Sequence, residues 1–362
     1  MPTHSSLPTA FGLHLTDRSV KMVLLEPRLA IWKSRLPRLK SFASRELSPG
    51  LIENGEIKNM DGLRLELRDL LDSARVQKIY GIGVVANLPE AKTFLKYVPA
   101  PELNGEEEIK KIVQKTISTE IPFAKEELIT DTQLFQNSGG RSLLIGAAPK
   151  SSADAYIALL EGLGLTIYAL EIEAVAIARA IGNGSQLGEL PKTEMIIDIG
   201  AERTSVIFTT GGVPRLTVLV PFSGNQLTKL IADRLKITYE QAEQTKLNCG
   251  LDLKLCEGGL RTLLGTVIED FILRLKNAVK YYHSQFKDAP KVTSIRLSGG
   301  GSYLLKLDSV ISQELRVKAR KADISSRLAA LPKTKTDDFL HYTTAFGLAL
   351  RGSNYVFEDN AV

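Results

Sequence analysis

One stretch of the sequence places a carboxylate and a glycine where they could bind phosphate and metal. From Met195 to Gly212, MIIDIGAERTSVIFTTGG runs from an apolar strand into Asp198 and Gly200 and back into an apolar strand. This pattern predicts a β-hairpin whose turn exposes backbone N–H groups beside Gly200. Gathered amides suit phosphate oxygens, and a strand-end carboxylate can hold a divalent cation through water. An Asp-Gly pair is also ordinary turn chemistry, so the stretch alone leaves both interpretations open.

Two further stretches favour a nucleotide site. GLHLTDRSVKMVLLE has Gly12 before a polar turn at 16–19 and an apolar return strand, and two facing hairpins can grip one polyphosphate. Later, VTSIRLSGGGSYLLKLDSVISQEL has three glycines, 299–301, between a predicted strand and a predicted helix. Such a turn lets a flat ring lie against the backbone. The G-x-G-x-x-G spacing of dinucleotide-binding folds is absent.

The elements around these loops predict an α/β protein. Leu63, Leu67 and Leu70 recur at helical spacing, and IYGIGVV at 80–86 is typical of a strand buried on both faces. From Asn87 to Leu170, strands and helices alternate as in a small α/β unit inserted into a larger one. With 362 residues and 44% hydrophobic content, the chain is long enough for two or more domains.

Charge and cysteine content exclude several classes of protein. The net charge of +5 accompanies no recognised nucleic-acid module, so no nucleic-acid partner is predicted. Cys249 and Cys256 are too few for a disulfide framework and lack zinc spacing, which favours a reducing compartment. The first residues lack a basic segment followed by an apolar one, and no apolar run reaches the roughly 18 residues of a membrane span. We therefore expect a soluble, unexported protein.

Two hairpin loops followed by a late glycine-rich turn resemble the actin-like ATPase superfamily of actin, sugar kinases and Hsp-type chaperones. Within it, the chain resembles the PilM family of type IV pilus assembly proteins, which is related to the cell-division protein FtsA. The resemblance runs from Phe11 to about Arg351. It rests on these segments in order: SVKMVLLE, SPGLIENGEIKN, VPAPELNGEEEIKKIVQKTISTEIPFAKEELITDTQLF, ALEIEAVAIARAI, MIIDIGAERTSVIF, VPFSGNQLTKLIADRLKITYEQAEQTK and RLSGGGSYLLKLDSVI.

The resemblance implies an actin-like two-lobe ATPase fold. Each lobe is ribonuclease-H-like, a small α/β subdomain is inserted in the first lobe, and a nucleotide occupies the cleft between the lobes. The implied ranges are 9–86 for the first lobe core, together with 165–190 and a C-terminal helix at about 337–352; 87–164 for the inserted subdomain; 191–222 and 291–330 for the second lobe core; and 223–290 for its helical subdomain.

The resemblance also implies the cofactors ATP and Mg²⁺ and the residues that bind them. No catalytic residue follows from it, and Asp198 is the implied metal ligand. The implied nucleotide-binding residues are Thr16, Asp17, Arg18 and Ser19 in a first phosphate loop, with Lys21 just beyond it; Asp198, Gly200, Ala201 and Thr204 in a second; Asn225 near the phosphates; Glu243 and Lys246 at the ribose; and Gly299, Gly300 and Gly301 behind the adenine.

The first loop departs from the family pattern, which usually reads D-I-G-S. His14 stands where a metal-associated aspartate is expected, and Thr16 where a glycine is expected. A neutral imidazole is a poor partner for Mg²⁺, and threonine adds bulk where a phosphate should approach. Asp17 could supply the missing charge, but it would equally repel a phosphate. For His14, a hydrogen-bonded strand-end histidine is favoured over a general base.

The function implied by the resemblance is a cytoplasmic ATP-binding adaptor of the type IV pilus inner-membrane platform, with weak or no ATPase activity. Its implied partner is the cytosolic N-terminal tail of a PilN-like inner-membrane protein, with other platform proteins, motor ATPases and self-association as further expectations. Contact with the membrane is expected only through partners, so the protein would lie peripherally at the inner membrane.

Three alternatives share the fold. An FtsA-like filament protein would end in a linker and an amphipathic helix, and FGLALRGSNYVFEDNAV at the end of this sequence shows neither an extended apolar stripe nor a basic face. A type II secretion platform component would normally continue into a membrane span. A sugar-kinase-like phosphotransferase would need a carboxylate base facing a substrate pocket, for which no convincing candidate stands out.

Overall fold

The computed structural model describes residues 10–26, 36–73, 83–100, 105–121, 127–137, 140–182, 191–329 and 336–353. The strands are β1 Ala10–Leu15, β2 Ser19–Leu25, β3 Leu39–Glu46, β4 Ile52–Glu53, β5 Glu56–Ile57, β6 Gly83–Leu88, β7 Phe94–Pro99, β8 Leu128–Asn137, β9 Gly140–Pro149, β10 Thr166–Ile172, β11 Thr193–Ile199, β12 Thr204–Thr210, β13 Val213–Val220, β14 Val292–Ser298 and β15 Ala319–Lys321. The helices are α1 Met60–Ser73, α2 Glu106–Glu120, α3 Lys150–Glu161, α4 Glu173–Ile181, α5 Gly224–Leu235, α6 Tyr239–Cys249, α7 Gly259–Gln285, α8 Leu307–Leu315 and α9 Thr343–Gly352.

The chain divides into two units. Unit 1 takes the described residues of Met1–Ala180, Ser326–Lys333 and Thr344–Val362, and unit 2 those of Ile181–Ser325 and Thr334–Thr343. Each unit contains a five-stranded mixed sheet with the same topology. The order is β10-β6-β1-β2-β3 in unit 1 and β15-β14-β11-β12-β13 in unit 2. In both, an antiparallel meander of three strands is extended by two parallel strands, as predicted for two ribonuclease-H-like lobes.

The sheet of unit 1 is covered on both faces at β1 and β6, where every residue is buried. Alternate side chains of β1 and β6 pack against α1 and α3, where Leu63 and Leu67 are fully buried and contribute roughly 1.5–3 kcal/mol each. The opposite face packs against α4 and α9. At Gly12, a Cβ would lie 2.1 Å from the Ala345 carbonyl oxygen, so glycine permits this close approach of α9.

The predicted insert contains a separate three-stranded sheet with the order β7-β9-β8, antiparallel throughout. Helix α2 covers one face of it, with Ile109 and Ile112 against the buried Leu143 and Ile145. The amphipathic pattern of this helix is thus explained by packing on the insert's own sheet, as predicted.

Unit 2 has a single large core, in which β11, β12 and β14 pack against α5, α7 and α8. Two stacked ring pairs, Phe208 with Tyr282 and Phe222 with Phe271, join the sheet side to the long helix α7. Strand β15 lies at the edge of the sheet, where its charged residues Arg320 and Lys321 are compatible with an unpaired strand edge.

The structure corrects one expectation. Cys249, at the end of α6, forms a disulfide with Cys256, seven residues later, although the cysteine count argued against a disulfide framework. The number of cysteines did not predict this bond, because the sharp turn after α6 brings the two residues together and their sequence positions alone do not show that turn. No helix in the described ranges is long and apolar enough to cross a membrane.

Candidate functional site

The turn between β11 and β12 in unit 2 contains the residues predicted for the second phosphate loop. Asp198 and Ile199 end β11, and the Gly200 N–H donates to the Arg203 carbonyl oxygen at 2.9 Å, which closes the turn. A Cβ on Gly200 would lie 3.0 Å from that same oxygen, so the turn favours glycine. Thr204 is fully buried and donates to the Phe222 carbonyl oxygen at 2.6 Å, so it supports the loop from below.

The N-terminus of α5 is bonded directly to this loop. The Gly224 N–H donates to the Gly200 carbonyl oxygen, and the Asn225 N–H donates to the Ala201 carbonyl oxygen, both at 3.0 Å. Ser223 is the N-cap, and its hydroxyl accepts the Gln226 N–H. The loop and the N-terminus of α5 are therefore held together, and these bonds use the N–H groups of Gly224, Asn225 and Gln226. The positive end of the dipole of α5 still lies beside the loop.

A buried lysine fastens α6 to the same assembly. The Lys246 ammonium donates to Glu243 Oε2 at 2.6 Å, to Thr228 Oγ1 at 2.8 Å and to the Gly224 carbonyl oxygen at 3.2 Å. These three acceptors match the three N–H bonds of the ammonium group. Lys246 is only 7% exposed, whereas the Glu243 side chain is 36% exposed and is the member of this pair that a ligand can reach.

A second polar chain lies above the loop. Tyr239 Oη donates to Asn225 Oδ1 at 2.8 Å, and Asn225 Nδ2 donates to Glu202 Oε1 at 2.7 Å. These two partners fix the orientation of the Asn225 amide, with its oxygen towards Tyr239 and its nitrogen towards Glu202. It remains only partly buried.

The glycine turn after β14 packs on the end of β11. A Cβ on Gly299 would lie 2.4 Å from the Ile199 carbonyl oxygen, and one on Gly301 would lie 2.2 Å from Ile199 Cγ2. A Cβ on Gly300 would meet nothing within 4 Å. Gly299 and Gly301 therefore allow close backbone packing, while Gly300 borders open space that suits a flat ring.

Unit 2 thus brings together all the residues predicted for it: the second loop, Asn225, Glu243, Lys246 and the glycine turn. Gly224, Thr228 and Tyr239 also belong to this assembly, although the sequence did not predict them. The segment SGNQLT contained a signal for Gly224, because serine is a common N-cap and the glycine after it is then the first residue of a helix. No sequence signal identified Tyr239, whose hydroxyl reaches Asn225 only through the packing of α6.

The predicted first phosphate loop lies in unit 1 between β1 and β2, and it is internally bonded. Thr16 Oγ1 accepts the N–H groups of Arg18 at 3.4 Å and Ser19 at 3.1 Å. The Lys21 ammonium donates to Ser19 Oγ at 2.8 Å. The threonine in the place of the expected glycine therefore takes up two of the amides that a phosphate would need.

Asp17 has a structural partner outside its own turn. Its carboxylate accepts the N–H groups of Asn54 at 3.0 Å and Gly55 at 2.8 Å, in the tight turn between β4 and β5. Asn54 and Gly55 both have positive φ, so this turn needs such support. Asp17 is thus oriented towards this turn.

His14 lies beside a buried carboxylate. Its Nε2 lies 3.4 Å from Glu173 Oε2, at the first residue of α4. Glu173 also accepts Asn87 Nδ2 at 2.9 Å and the Glu90 N–H at 3.3 Å. Burial alone would raise the pKa of Glu173, but the hydrogen bond and charge of His14 and the two N–H donors lower it below its ordinary value. Asn87 additionally bonds both the N–H and the carbonyl of Leu15, which fixes the end of β1.

The donor sets differ in their fit to Mg²⁺. Asp198 offers one carboxylate at the end of β11, and Mg²⁺ often needs only one or two when phosphates complete its shell. The end of β1 does not fit, because His14 offers nitrogen and the Glu173 carboxylate is already paired with it. Within the described part of the chain, no three His, Cys, Asp or Glu residues form a metal-binding group.

Unit 1 also contains a groove of about 460 Å³ between the inserted sheet and the main sheet. Strand β8 forms one wall, and the end of β10 with α4 forms the other. Its apolar lining includes Leu88, Ile129, Leu144 and Ile172. Since Ile129 is 39% exposed, the groove presents apolar surface to solvent.

A charged cluster lies at one side of this groove. The Glu171 carboxylate, 5% exposed, accepts two bonds of 2.6 Å from Arg179 and one of 2.8 Å from Arg351. Two guanidinium groups therefore share one carboxylate, which leaves a positive excess in this cluster. Asp131, on β8, adds a carboxylate to the lining.

Comparisons with known proteins identify the fold and the family. In the solved PilM-PilN type IV pilus biogenesis complex, a chain with 24% identity superposes with a TM-score of 0.78, over 96% of this chain and 99% of that one. Ethanolamine utilization protein EutJ from Carboxydothermus hydrogenoformans is 18% identical with a TM-score of 0.56, over 97% and 90%. MreB 5 of Spiroplasma citri bound to AMPPNP is 14% identical with a TM-score of 0.51, over 96% and 95%.

These neighbours and the two matching sheets confirm the predicted actin-like ATPase fold. The family model described as type IV pilus assembly protein PilM matches residues 12–353. The chain therefore belongs to the type IV pilus assembly protein PilM family.

Proposed function

We propose that this protein is a nucleotide-binding adaptor of the type IV pilus assembly platform. It works in the cytoplasm and is held at the inner membrane by the cytosolic N-terminal tail of a PilN-like protein. Family membership supports the assembly role, and the solved complex of a family relative with PilN supports the partner. Other platform proteins, motor ATPases and self-association stay predictions.

The groove of unit 1 is the observation that carries this proposal. At about 460 Å³ it accommodates a few side chains of an extended peptide. Strand β8 is the outer strand of its sheet, so its unpaired backbone groups are available to the main chain of a peptide. Apolar lining next to the cluster of Glu171, Arg179 and Arg351 fits a peptide with aliphatic side chains and at least one acceptor.

Unit 2 supports nucleotide binding. It combines the glycine turn of the second loop, the positive end of the dipole of α5, the accessible carboxylate of Glu243 and open space beside Gly300. These elements match phosphate, ribose and base in turn. We propose that ATP acts as a ligand that shifts the protein between conformations, with slow or no turnover.

A matched pair of variants on β8 tests the partner site. Ile129→Lys places a charge in the groove, whereas Leu134→Lys changes a similarly exposed residue of the same strand outside the groove lining. Calorimetric titration with the N-terminal peptide of a PilN-like protein should show at least about tenfold weaker binding for Ile129→Lys only. Equal affinity for both variants and the wild type would exclude this groove as the site.

A further inference from the structure

The disulfide of unit 2 closes a short loop directly after α6. We call residues 249–256 the disulfide loop, since Cys249 and Cys256 form the bond. Cys249 is the last residue of α6, and the N–H of the following Gly250 donates to the Lys246 carbonyl oxygen at 3.1 Å. The disulfide loop therefore begins on the helix that carries Glu243 and Lys246.

The disulfide loop also contacts the segment that follows the glycine turn. The buried Leu251 donates its N–H to the Leu305 carbonyl oxygen at 2.9 Å, and a Cβ on Gly250 would lie 2.5 Å from the Leu305 Cβ. The Asp252 carboxylate lies 3.9 Å from the Lys306 ammonium group. The loop thus connects α6, on the ribose side of the proposed nucleotide site, with the chain that continues from the glycine turn on its base side.

The second half of the disulfide loop has little packing of its own. Residues 253–257 are all exposed, including two leucines. Cys256 and Glu257 have φ values of 50° and 55°, a conformation that residues other than glycine adopt only where the surrounding structure enforces it. Since these exposed side chains contribute few contacts, we infer that the covalent bond to Cys249 is what holds this half of the loop in place.

One sulfur of the disulfide is accessible to a small thiol. Cys256 is exposed, whereas Cys249 is 3% exposed and packs in the core of unit 2. The proposed function places the protein in the cytoplasm, where disulfides are usually transient, catalytic or redox-sensing. Exposed disulfides are the ones that small thiols reduce most readily. The two cysteines are therefore placed to change between dithiol and disulfide.

We propose that Cys249 and Cys256 form a reversible thiol–disulfide switch that controls the affinity of unit 2 for nucleotide. Oxidation locks the disulfide loop, which holds the end of α6 and the segment after the glycine turn together. Reduction releases the loop, so that the end of α6 frays and Glu243 loses its fixed position. The inference rests on the proposed nucleotide binding.

The oxidant is a low-molecular-weight disulfide such as oxidised glutathione. The Cys256 thiolate attacks one of its sulfurs, the S–S bond of the small molecule breaks, and one thiolate leaves. The Cys249 thiolate then attacks Cys256 Sγ, which forms the protein disulfide and expels the second small thiolate. The two cysteines lose two electrons and two protons, and the small disulfide takes them up as two thiols. A small thiol reverses both steps.

Titration of the full chain with Mg²⁺-ATP, after equilibration in oxidised or in reduced glutathione, tests the proposal. The oxidised wild type should bind at least about fivefold more tightly than the reduced wild type. Cys256→Ser cannot form the bond, so its affinity should be the same in both buffers and should match that of the reduced wild type. The wild type itself supplies both states, so this comparison does not depend on the folding of a variant.

The same coupling should be visible in the oxidation of the cysteines. Because coupling between two binding equilibria is reciprocal, saturating Mg²⁺-ATP should favour the disulfide by the factor by which the disulfide favours ATP. The sequence contains two cysteines, so alkylation after quenching counts the free thiols of the switch directly. The ratio of squared reduced to oxidised glutathione at half-oxidation should rise at least about fivefold with ATP.

Hydrogen exchange provides a readout without nucleotide. The amide of Leu251 and the amides of the last turn of α6 should exchange faster in the reduced than in the oxidised wild type, because the released loop opens more often. In Cys256→Ser, the reductant should leave these exchange rates unchanged.

The outcomes separate the two proposals. Equal ATP affinity of the oxidised and reduced wild type would overturn the switch, while nucleotide binding itself would stand. A difference that persists in Cys256→Ser would also overturn it, because the effect would then not come from this pair of cysteines. Two free thiols in every glutathione buffer would show that the bond does not form. If ATP binds in neither state, the proposed nucleotide function fails, and equal hydrogen exchange in the two states would then overturn the switch as well.

Discussion

The ammonium group of Lys246 lies 2.6 Å from the carboxylate of Glu243, one helical turn earlier on α6, and the same nitrogen bonds the first residue of α5 through the Gly224 carbonyl. One buried cation therefore joins two helices beneath the second phosphate loop. Since Gly224 is bonded in turn to Gly200, the position of the loop depends on Lys246.

Lys246→Met should therefore destabilise unit 2. The variant keeps most of the side-chain volume but removes the cation from the Glu243 carboxylate and one donor each from Thr228 and the Gly224 carbonyl, which should lower the free energy of unfolding by about 2 kcal/mol. ATP affinity should fall with it, because the loop loses its anchor. Lys229→Met, at an exposed position of α5, is the control and should change the free energy of unfolding by less than about 0.5 kcal/mol in urea titrations.

Neighbouring glycines should respond differently to the same methyl group. Gly301→Ala drives a Cβ to within 2.2 Å of Ile199 Cγ2, so the turn or the end of β11 must move, and we expect a loss of about 1–3 kcal/mol. Gly300→Ala should be tolerated because its Cβ meets open space. Thermal unfolding of the two variants measures the difference, and equal melting temperatures would argue against this packing.

A larger side chain at Gly300 tests the base site itself. Gly300→Leu should fold with nearly the wild-type melting temperature but fill the space in which we propose that the adenine lies. Its ATP affinity should drop at least about tenfold. Unchanged affinity for a folded Gly300→Leu variant would place the base elsewhere.

Glu173 should contribute to stability in a defined pH range. Its folded-state pKa lies below its ordinary value of 4.5, so the carboxylate stabilises the fold above that value, and this stability is lost as the pH falls through the folded-state pKa. Glu173→Gln should lower the free energy of unfolding at neutral pH, but it should change it little in acid, where the wild-type carboxylate is already protonated. Urea titrations between pH 3 and 6 should therefore show a gap between variant and wild type that widens as the pH rises. Glu161→Gln, at an exposed position of α3, should show a small and constant gap.

The sequence predicted the elements whose signals are local. Both hairpins follow from apolar strands interrupted by a polar turn, and α2 follows from its spacing of Ile109 and Ile112. Gly299–Gly301 were identified as a turn because a run of glycines is a local signal, whereas Gly200 was assigned to a phosphate loop only with the help of the second hairpin and the family resemblance. The pairing of two similar sheets followed only from the family resemblance, because strand order depends on contacts between distant segments.

The first loop shows why the remaining features escaped prediction. Whether Asp17 faces a phosphate or the turn at Asn54 depends on where β4 and β5 pack. The local sequence around Asp17 does not show that these strands lie next to it. The partner of His14 is likewise the first residue of a helix far along the chain. In each case a polar side chain found its partner through tertiary packing, for which the local pattern gives no signal.

The disulfide between Cys249 and Cys256 yields the last prediction. It closes the short loop after α6, the helix that carries Glu243 and Lys246, and loops of this size are stabilised by about 2–3 kcal/mol when oxidised. Cys256 is exposed, so Cys256→Ser removes the bond with little loss of packing. Oxidised wild type should unfold at higher urea concentration than Cys256→Ser, and a reductant should remove this difference by acting on the wild type alone. If the reductant leaves the stability of the wild type unchanged, the disulfide either does not form or does not stabilise the loop. Thiol labelling of the unfolded protein without reductant distinguishes these two explanations, because only cysteines outside a disulfide react.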